Sequence, residues 1–125
     1  MGIQENMLSK KVWAVIGANN DPGKFGNIIF KRLKAEGYTV YPVNPMYTEV
    51  EGDKCYPDIS SLPEKPEVLD MVVSPKRGKA FIKEAAGLGI QNIWLQPGTY
   101  DSELLALTKE YQLTALQACV LVALG

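Results

Sequence analysis

No histidine occurs in the 125 residues. The commonest general base and the commonest zinc ligand are therefore missing, and with them every Ser-His-Asp or Cys-His arrangement. Cysteine is scarce as well. Cys55 and Cys119 stand far apart and form no CxxC, which reads as two reduced, mostly buried thiols of a cytosolic protein rather than a redox or metal site. Positive charge is not in excess. Thirteen Lys and Arg face fourteen Asp and Glu, a net charge of −1, so no general nucleic-acid partner is expected. Long apolar runs are lacking too. The longest, 113–124, is broken by Thr114 and Gln117 and is too short to span a bilayer. No membrane partner is expected.

The opening "MGIQENMLSKK" is polar with no apolar centre, so no secretory signal is expected and the location is read as cytoplasmic. Asn6 stands where an N-myristoylation start needs Ser or Thr. What is present is the balance of a folded domain. Hydrophobic residues make up 46% and charged residues 22%, which favours a soluble globular chain over a disordered one. The length suits one domain, 1–125, with its own core.

Strand and helix patterns alternate. "VWAVIGA", 12–18, is a short β-branched apolar run ending near Gly17 and reads as a buried strand. From Lys24 to Glu36 the period turns helical, with Phe25, Ile28, Ile29 and Leu33 on one stripe and Gly37 as a closing residue. "YTVYPV", 38–43, is a second strand, stopped by Asn44-Pro45. The stretch 46–68 is an irregular connection, with one helical turn expected near Ile59–Leu62.

"LDMVV", 69–73, is a third strand. Ser74-Pro75 then supplies an N-cap and a favoured first helical residue, and Phe81, Ala85 and Leu88 give that helix its inner stripe. "NIWLQ", 92–96, is a fourth strand ended by Pro97-Gly98. Asp101 is a helix cap before Leu104, Leu105, Thr108 and Tyr111, and "LTALQA" begins a fifth strand. The tail after it reads equally as strand or helix.

This alternation points to an α/β, three-layer, Rossmann-like fold with a mostly parallel five-stranded sheet. The expected strand order is 3-2-1-4-5, with a ligand crevice at the carboxyl ends of strands 1 and 4. Four segments then meet at one edge: "GANNDPGKFG", "VNP", "VSPKRG" and "LQPG". In the first, Gly17 permits a tight turn, Pro22 stiffens the loop, and Gly26 lets a backbone come close to an anion at a helix start, where Lys24 adds a charge. The alternative is that these glycines only turn the chain. The spacing is not GxGxxG, and "GKF" lacks the Ser or Thr of a magnesium-binding phosphate loop. Asn44 stands where a site for NAD carries an acidic residue, which argues against plain NAD.

"VIGANNDPGKFG", "YPVNP", "VSP" and "WLQPG", in this order, resemble the small CoA-binding domain proteins, stand-alone relatives of the CoA-binding domain in the α subunit of succinyl-CoA synthetase. The resemblance covers roughly 11–122 and implies the same Rossmann-like fold. It implies that Gly17, Ala18 and Asn19 begin a pyrophosphate loop containing Pro22, closed by Lys24, Phe25 and Gly26. Val43, Asn44 and Pro45 would face the adenosine, Ser74 and Pro75 the adenine, and Gln96, Pro97 and Gly98 the pantetheine arm. Relatives often carry a pair of prolines after the third strand, where this chain has "SPKRG", and a basic residue after "VNP", where it has Met46. Lys76 or Arg77 is a candidate charge for a 3′-phosphate, or else solvated helix surface.

The resemblance therefore implies a coenzyme A or acyl-CoA ligand, held by a non-catalytic binding module. The alternative is a regulatory domain for NAD(H) or another nucleotide. A small enzyme is a third reading, with Cys55 as its one plausible loop nucleophile. No catalytic and no metal-binding residue is expected. Glu49, Glu51 and Asp53 read as solvated surface, and Asp21 as a turn residue. The apolar tail residues Val120, Leu121, Val122 and Leu124 are suited either to a homodimer or protein contact, or to packing on the sheet edge.

Overall fold

The computed structural model describes residues 2–125. Val12–Ile16 (β1) lies within a sheet of five parallel strands. Its side chains alternate between two cores. Trp13 and Val15 enter one, Ala14 and Ile16 the other, and all four are fully buried. A strand covered on both faces meets an apolar core on each, which is why "VWAVI" shows no polar alternation.

Thr39–Val43 (β2) pairs with β1 on one side, and Val68–Met71 (β5) pairs with it on the other. Asn92–Leu95 (β6) and Thr114–Gln117 (β7) continue outward. The order is thus β2-β1-β5-β6-β7. Counted among the five main strands this is 2-1-3-4-5, which corrects the expected 3-2-1-4-5. The physical reason lies in the second strand itself. Pro42 has no amide hydrogen for a ladder, so that strand belongs at an edge. The third strand is buried at every position and takes a neighbour on each side. The outer flank of β2 meets Tyr56, whose amide donates to the Pro42 carbonyl at 3.0 Å while its carbonyl accepts from the Asn44 amide at 2.9 Å.

The strand ends are level. Ile16 is in register with Val43 and Met71, Met71 with Leu95, and Leu95 with Gln117. Every loop that follows a main strand therefore leaves from one edge. The chain runs from β1 to β2 on one side and then crosses to β5 on the other, so the reversal of direction falls at β1 and β5. That moves the crevice from the expected strands 1 and 4 to the first and third strands.

Ile3–Leu8 (α1), Phe25–Ala35 (α2) and Val120–Leu124 (α5) supply Met7, Ile29, Phe30, Leu33 and Val120 to the first core. Pro75–Gly87 (α3) and Ser102–Glu110 (α4) supply Ile82, Ala85 and Leu104 to the second, joined by Ile59 from the long connection. Each large apolar side chain buried this way favours folding by ~1.5–3 kcal/mol over exposure. Ser74 and Asp101 stand at the helix starts as expected, and the Asp101 carboxylate accepts from the Leu104 amide at 2.8 Å. Gly37 and Gly89 take positive φ just after α2 and α3.

Other expectations are corrected. The buried stripe of α2 is Gly26, Asn27, Ile29, Phe30 and Leu33, whereas Phe25 is 64% exposed and Ile28 lies at the surface. Leu88 and Tyr111 are also exposed. Two elements were not anticipated. One is α1, a helix too short and polar to stand out, anchored by Met7. The other is a small hairpin of Glu49–Val50 (β3) and Asp53–Lys54 (β4), turned by Glu51 and Gly52 at positive φ. The ambiguous tail is helical. Val120 is buried while Leu121 and Leu124 pack against the first core, on the sheet's face rather than its edge. No helix among the described residues is long and apolar enough to cross a membrane.

Candidate functional site

The loop after β1 is built by close backbone contacts and asparagines. Gly17 has φ +99°, and a Cβ there would lie 2.7 Å from Val73 Cγ1 and 2.8 Å from the Val72 carbonyl oxygen. A Cβ on Gly26 would lie 2.2 Å from the Gly17 carbonyl oxygen. The bare α-carbon of Gly26 therefore serves helix-to-loop packing, and its missing side chain faces protein rather than an open anion site. Asn19 Oδ1 accepts from the Asp21 amide at 3.0 Å, and Asp21 Oδ1 accepts from the Gly23 amide at 2.9 Å. These two side-chain turns take up amides in the loop's middle. The amides of Phe25 and Gly26 at the start of α2 have no partner among the described residues, as the first turn of a helix requires.

The acidic stretch is not merely solvated, contrary to expectation. Asn20 donates to the Glu49 carbonyl at 2.8 Å and accepts from the Glu51 amide at 2.9 Å. Asn27, itself buried, donates to the Asn19 carbonyl at 2.9 Å and to the Glu51 carboxylate at 2.8 Å. Asp53 pairs with Lys34. The β3–β4 hairpin is thus tied to the glycine loop and to α2.

Between these loops lies a polar cleft of about 250 Å³. Gly17, Asn19 and Lys24 line it from the first loop, Asn44, Met46 and Tyr47 from the second, Val72 and Val73 from the third, and Arg77 from α3. Neither Lys24 nor Arg77 joins an ion pair among the described residues, in contrast to Arg32, Lys34 and Lys79. Asn44 is buried and occupied: it donates to the Ala18 carbonyl at 3.0 Å and accepts from the Met46 amide at 2.9 Å. It clasps the first loop to the second.

On the other side of the α2 start is a small apolar pocket of about 80 Å³, lined by Phe25, Ile29, Gln96, Pro97 and Cys119. Gln96 backs this pocket and reaches inward. Its amide nitrogen donates to Asp70 Oδ1 at 2.7 Å, and its Oε1 accepts from the Val120 amide at 3.2 Å. Asp70 lies wholly inside the first core, and its Oδ2 has no partner among the described residues. Burial pushes its carboxyl up to about 7, against the lowering effect of the Gln96 hydrogen bond. This group was absent from the sequence reading. A single Asp inside an otherwise apolar strand was the signal.

The residues singled out from sequence thus divide. Gly17, Asn19, Lys24 and Asn44 meet in the cleft, and Phe25, Gln96 and Pro97 meet in the small pocket. Gly26 sits beneath the loop. Ala18 and Val43 are fully buried and line neither cavity, with the Ala18 carbonyl taken by Asn44 and the Val43 carbonyl by the Gly17 amide. Pro22, Pro45, Ser74, Pro75 and Gly98 line neither cavity. Met46, Tyr47, Val72, Val73 and Arg77 complete the cleft, and the apolar pair Val72–Val73 gave no sequence signal beyond strand. Cys55 is buried with its thiol on the Asn44 carbonyl, and burial raises its pKa. That removes it as a loop nucleophile.

The sequence profile described as "CoA binding domain" matches residues 11–125. The ADP-forming acetate–CoA ligase I of Archaeoglobus fulgidus is 32% identical over 117 residues, which cover 86% of this chain but 17% of the ligase. The uncharacterized protein YneT of Bacillus subtilis is 28% identical over 125 residues, covering 97% of this chain and 90% of YneT. Among solved structures, a hypothetical protein from Pyrococcus horikoshii superposes with a TM-score of 0.87 at 38% identity, over 94% of this chain and 82% of that one. This chain spans less than a fifth of the ligase, so the likeness concerns one region of that enzyme. The profile runs through every strand of the main sheet and every loop around the cleft, and the chain belongs to the CoA-binding domain family.

Proposed function

We propose that this chain binds coenzyme A or an acyl-CoA, and that it does so as a binding module rather than an enzyme. The observation that carries the reading is the cleft at the β1–β5 reversal, which Lys24 and Arg77 line without carboxylate partners among the described residues. Unpaired cations on two walls of one cleft suit a polyanionic ligand. Family membership favours a CoA ester over other anions.

The residues fit such a ligand. The free amides of Phe25 and Gly26, with Lys24, would hold the pyrophosphate at the positive end of α2. The second loop, with Met46 and Tyr47, and the Val72–Val73 floor would flank the nucleoside. Pantetheine would leave past the exposed Phe25 ring toward the pocket of Ile29, Gln96, Pro97 and Cys119. Asn44 would act by holding the loops, since both ends of its amide are already engaged. The occupied Asn44 also weighs against an NAD-type site, which needs a free acceptor for ribose hydroxyls.

The non-catalytic part of the reading rests on a sequence without histidine and on two groups that the fold withdraws. The Cys55 thiol is buried with a raised pKa, and the Asp70 carboxyl lies in the core, lining neither cavity. Calorimetric titration with CoA, with NADH as comparison, tests the binding. Saturable heat for CoA alone is the expected result, and a preference for NADH would sink the reading in favour of a nucleotide-binding regulatory domain. Acetyl-CoA incubated with the protein should keep its thioester, as read by thiol release.

A further inference from the structure

Lys24 and Arg77 stand on different elements, one at the start of α2 and the other in the first turn of α3. They are the only cations lining the cleft among the described residues. The uncharged Gly17 and the Val72–Val73 pair lie in the same cleft lining, and Met46 and Tyr47 add no charge. The positive charge of the cleft therefore comes from two helix starts whose helices pack on opposite faces of the sheet. A dinucleotide or a nucleoside diphosphate carries its negative charge in one cluster. A 3′-phosphorylated nucleoside diphosphate carries it in two, separated by the ribose.

We propose that Arg77 is the specificity-determining residue that reads the 3′-phosphate of the ligand, while Lys24 serves the pyrophosphate common to phosphorylated and dephosphorylated forms. The inference rests on the CoA reading above and deepens it. Two features favour Arg77 for this role. Its side chain joins no ion pair among the described residues. A guanidinium also presents paired donors that match a phosphate monoester in two-point contact, which an ammonium cannot. The neighbouring Lys76 is exposed and lines no part of the cleft.

The test is a titration of the whole chain with CoA and with dephospho-CoA, repeated for Arg77→Gln and Lys24→Gln. Arg77 is exposed, so its replacement leaves the fold intact, and far-UV circular dichroism checks this. The wild-type chain should prefer CoA over dephospho-CoA by roughly tenfold to a hundredfold, the worth of one charge-assisted contact. Arg77→Gln should erase that preference by weakening CoA far more than dephospho-CoA. Lys24→Gln should weaken both ligands alike and keep the ratio. Arg77→Lys should restore part of the preference. An Arg77→Gln chain that binds CoA with the wild-type ratio overturns the inference and leaves the CoA reading standing. A wild-type chain that binds neither ligand overturns the CoA reading, and the inference with it.

Discussion

Gly26 stands so close to Gly17 that a Cβ on Gly26 would sit 2.2 Å from the Gly17 carbonyl oxygen and 2.7 Å from Asn19 Nδ2. The first contact is with backbone, which cannot swing away. Gly26→Ala must push α2 off the loop or twist the loop itself. Overpacking of this kind costs ~1–3 kcal/mol, and the chemical-denaturation midpoint should fall accordingly. Ligand binding should weaken by more than stability does, because the displaced turn carries the free amides of the α2 start.

Asp70 makes stability depend on pH. Its folded pKa of about 7 lies above its ordinary value of 3.8, so the folded chain holds a proton that the unfolded chain has released. Between those two values the native state binds more protons, and stability falls as pH rises through that window. Asp70→Asn removes the titration while keeping an oxygen for Gln96. Its stability curve should be flatter across the window and should lie above the wild-type curve on the alkaline side, by up to a few kcal/mol. Urea melts at a series of pH values measure this, and parallel curves would refute it.

Asn44 holds two loops with one side chain. Asn44→Ala frees the Ala18 carbonyl and the Met46 amide at once, at a cost of ~1–3 kcal/mol for groups left unsatisfied. Asn44→Asp keeps the acceptor for Met46 but turns a carboxylate oxygen toward the Ala18 carbonyl. It should lower the melting temperature without producing affinity for NADH. A gain of NADH binding would mean that the residue faces the ligand directly.

Phe25 separates affinity from stability. Its ring is 64% exposed at the mouth of the small pocket, so Phe25→Ala should leave the melting temperature nearly unchanged. Under the CoA reading it should cost several-fold in affinity for CoA and little for adenosine 3′,5′-bisphosphate, which lacks the pantetheine arm. Equal losses for both ligands would place Phe25 at the nucleotide instead.

Much of the fold was legible because local chemistry repeats along the chain. Apolar β-branched runs, Asp101 as a cap, Gly37 as a terminator and Pro97-Gly98 as a stop each act within a few residues. The strand order was legible only in part. Alternating strands and helices fit more than one order, and Pro42, which suits the second strand to an edge, is the local signal that separates them. The hairpin was hidden because its stability comes from Asn20 and Asn27, more than twenty residues away. For α1, a single buried Met7 is too small a signal to read.

For the site, residue types alone determined that a glycine loop, a helix start and three proline-stiffened loops would meet at one sheet edge. Their order along the chain and the parallel connections require it. Only the tertiary structure decided which groups remain available there. It engaged Asn44, Asp21 and Asn27 in the loops' own hydrogen bonds, turned Gly26 toward the Gly17 carbonyl, and buried Cys55. It left Lys24 and Arg77 beside one cleft with no carboxylate partner among the described residues. Whether a polar group is spent or free depends on neighbours from distant segments, and a reading along the chain does not contain them.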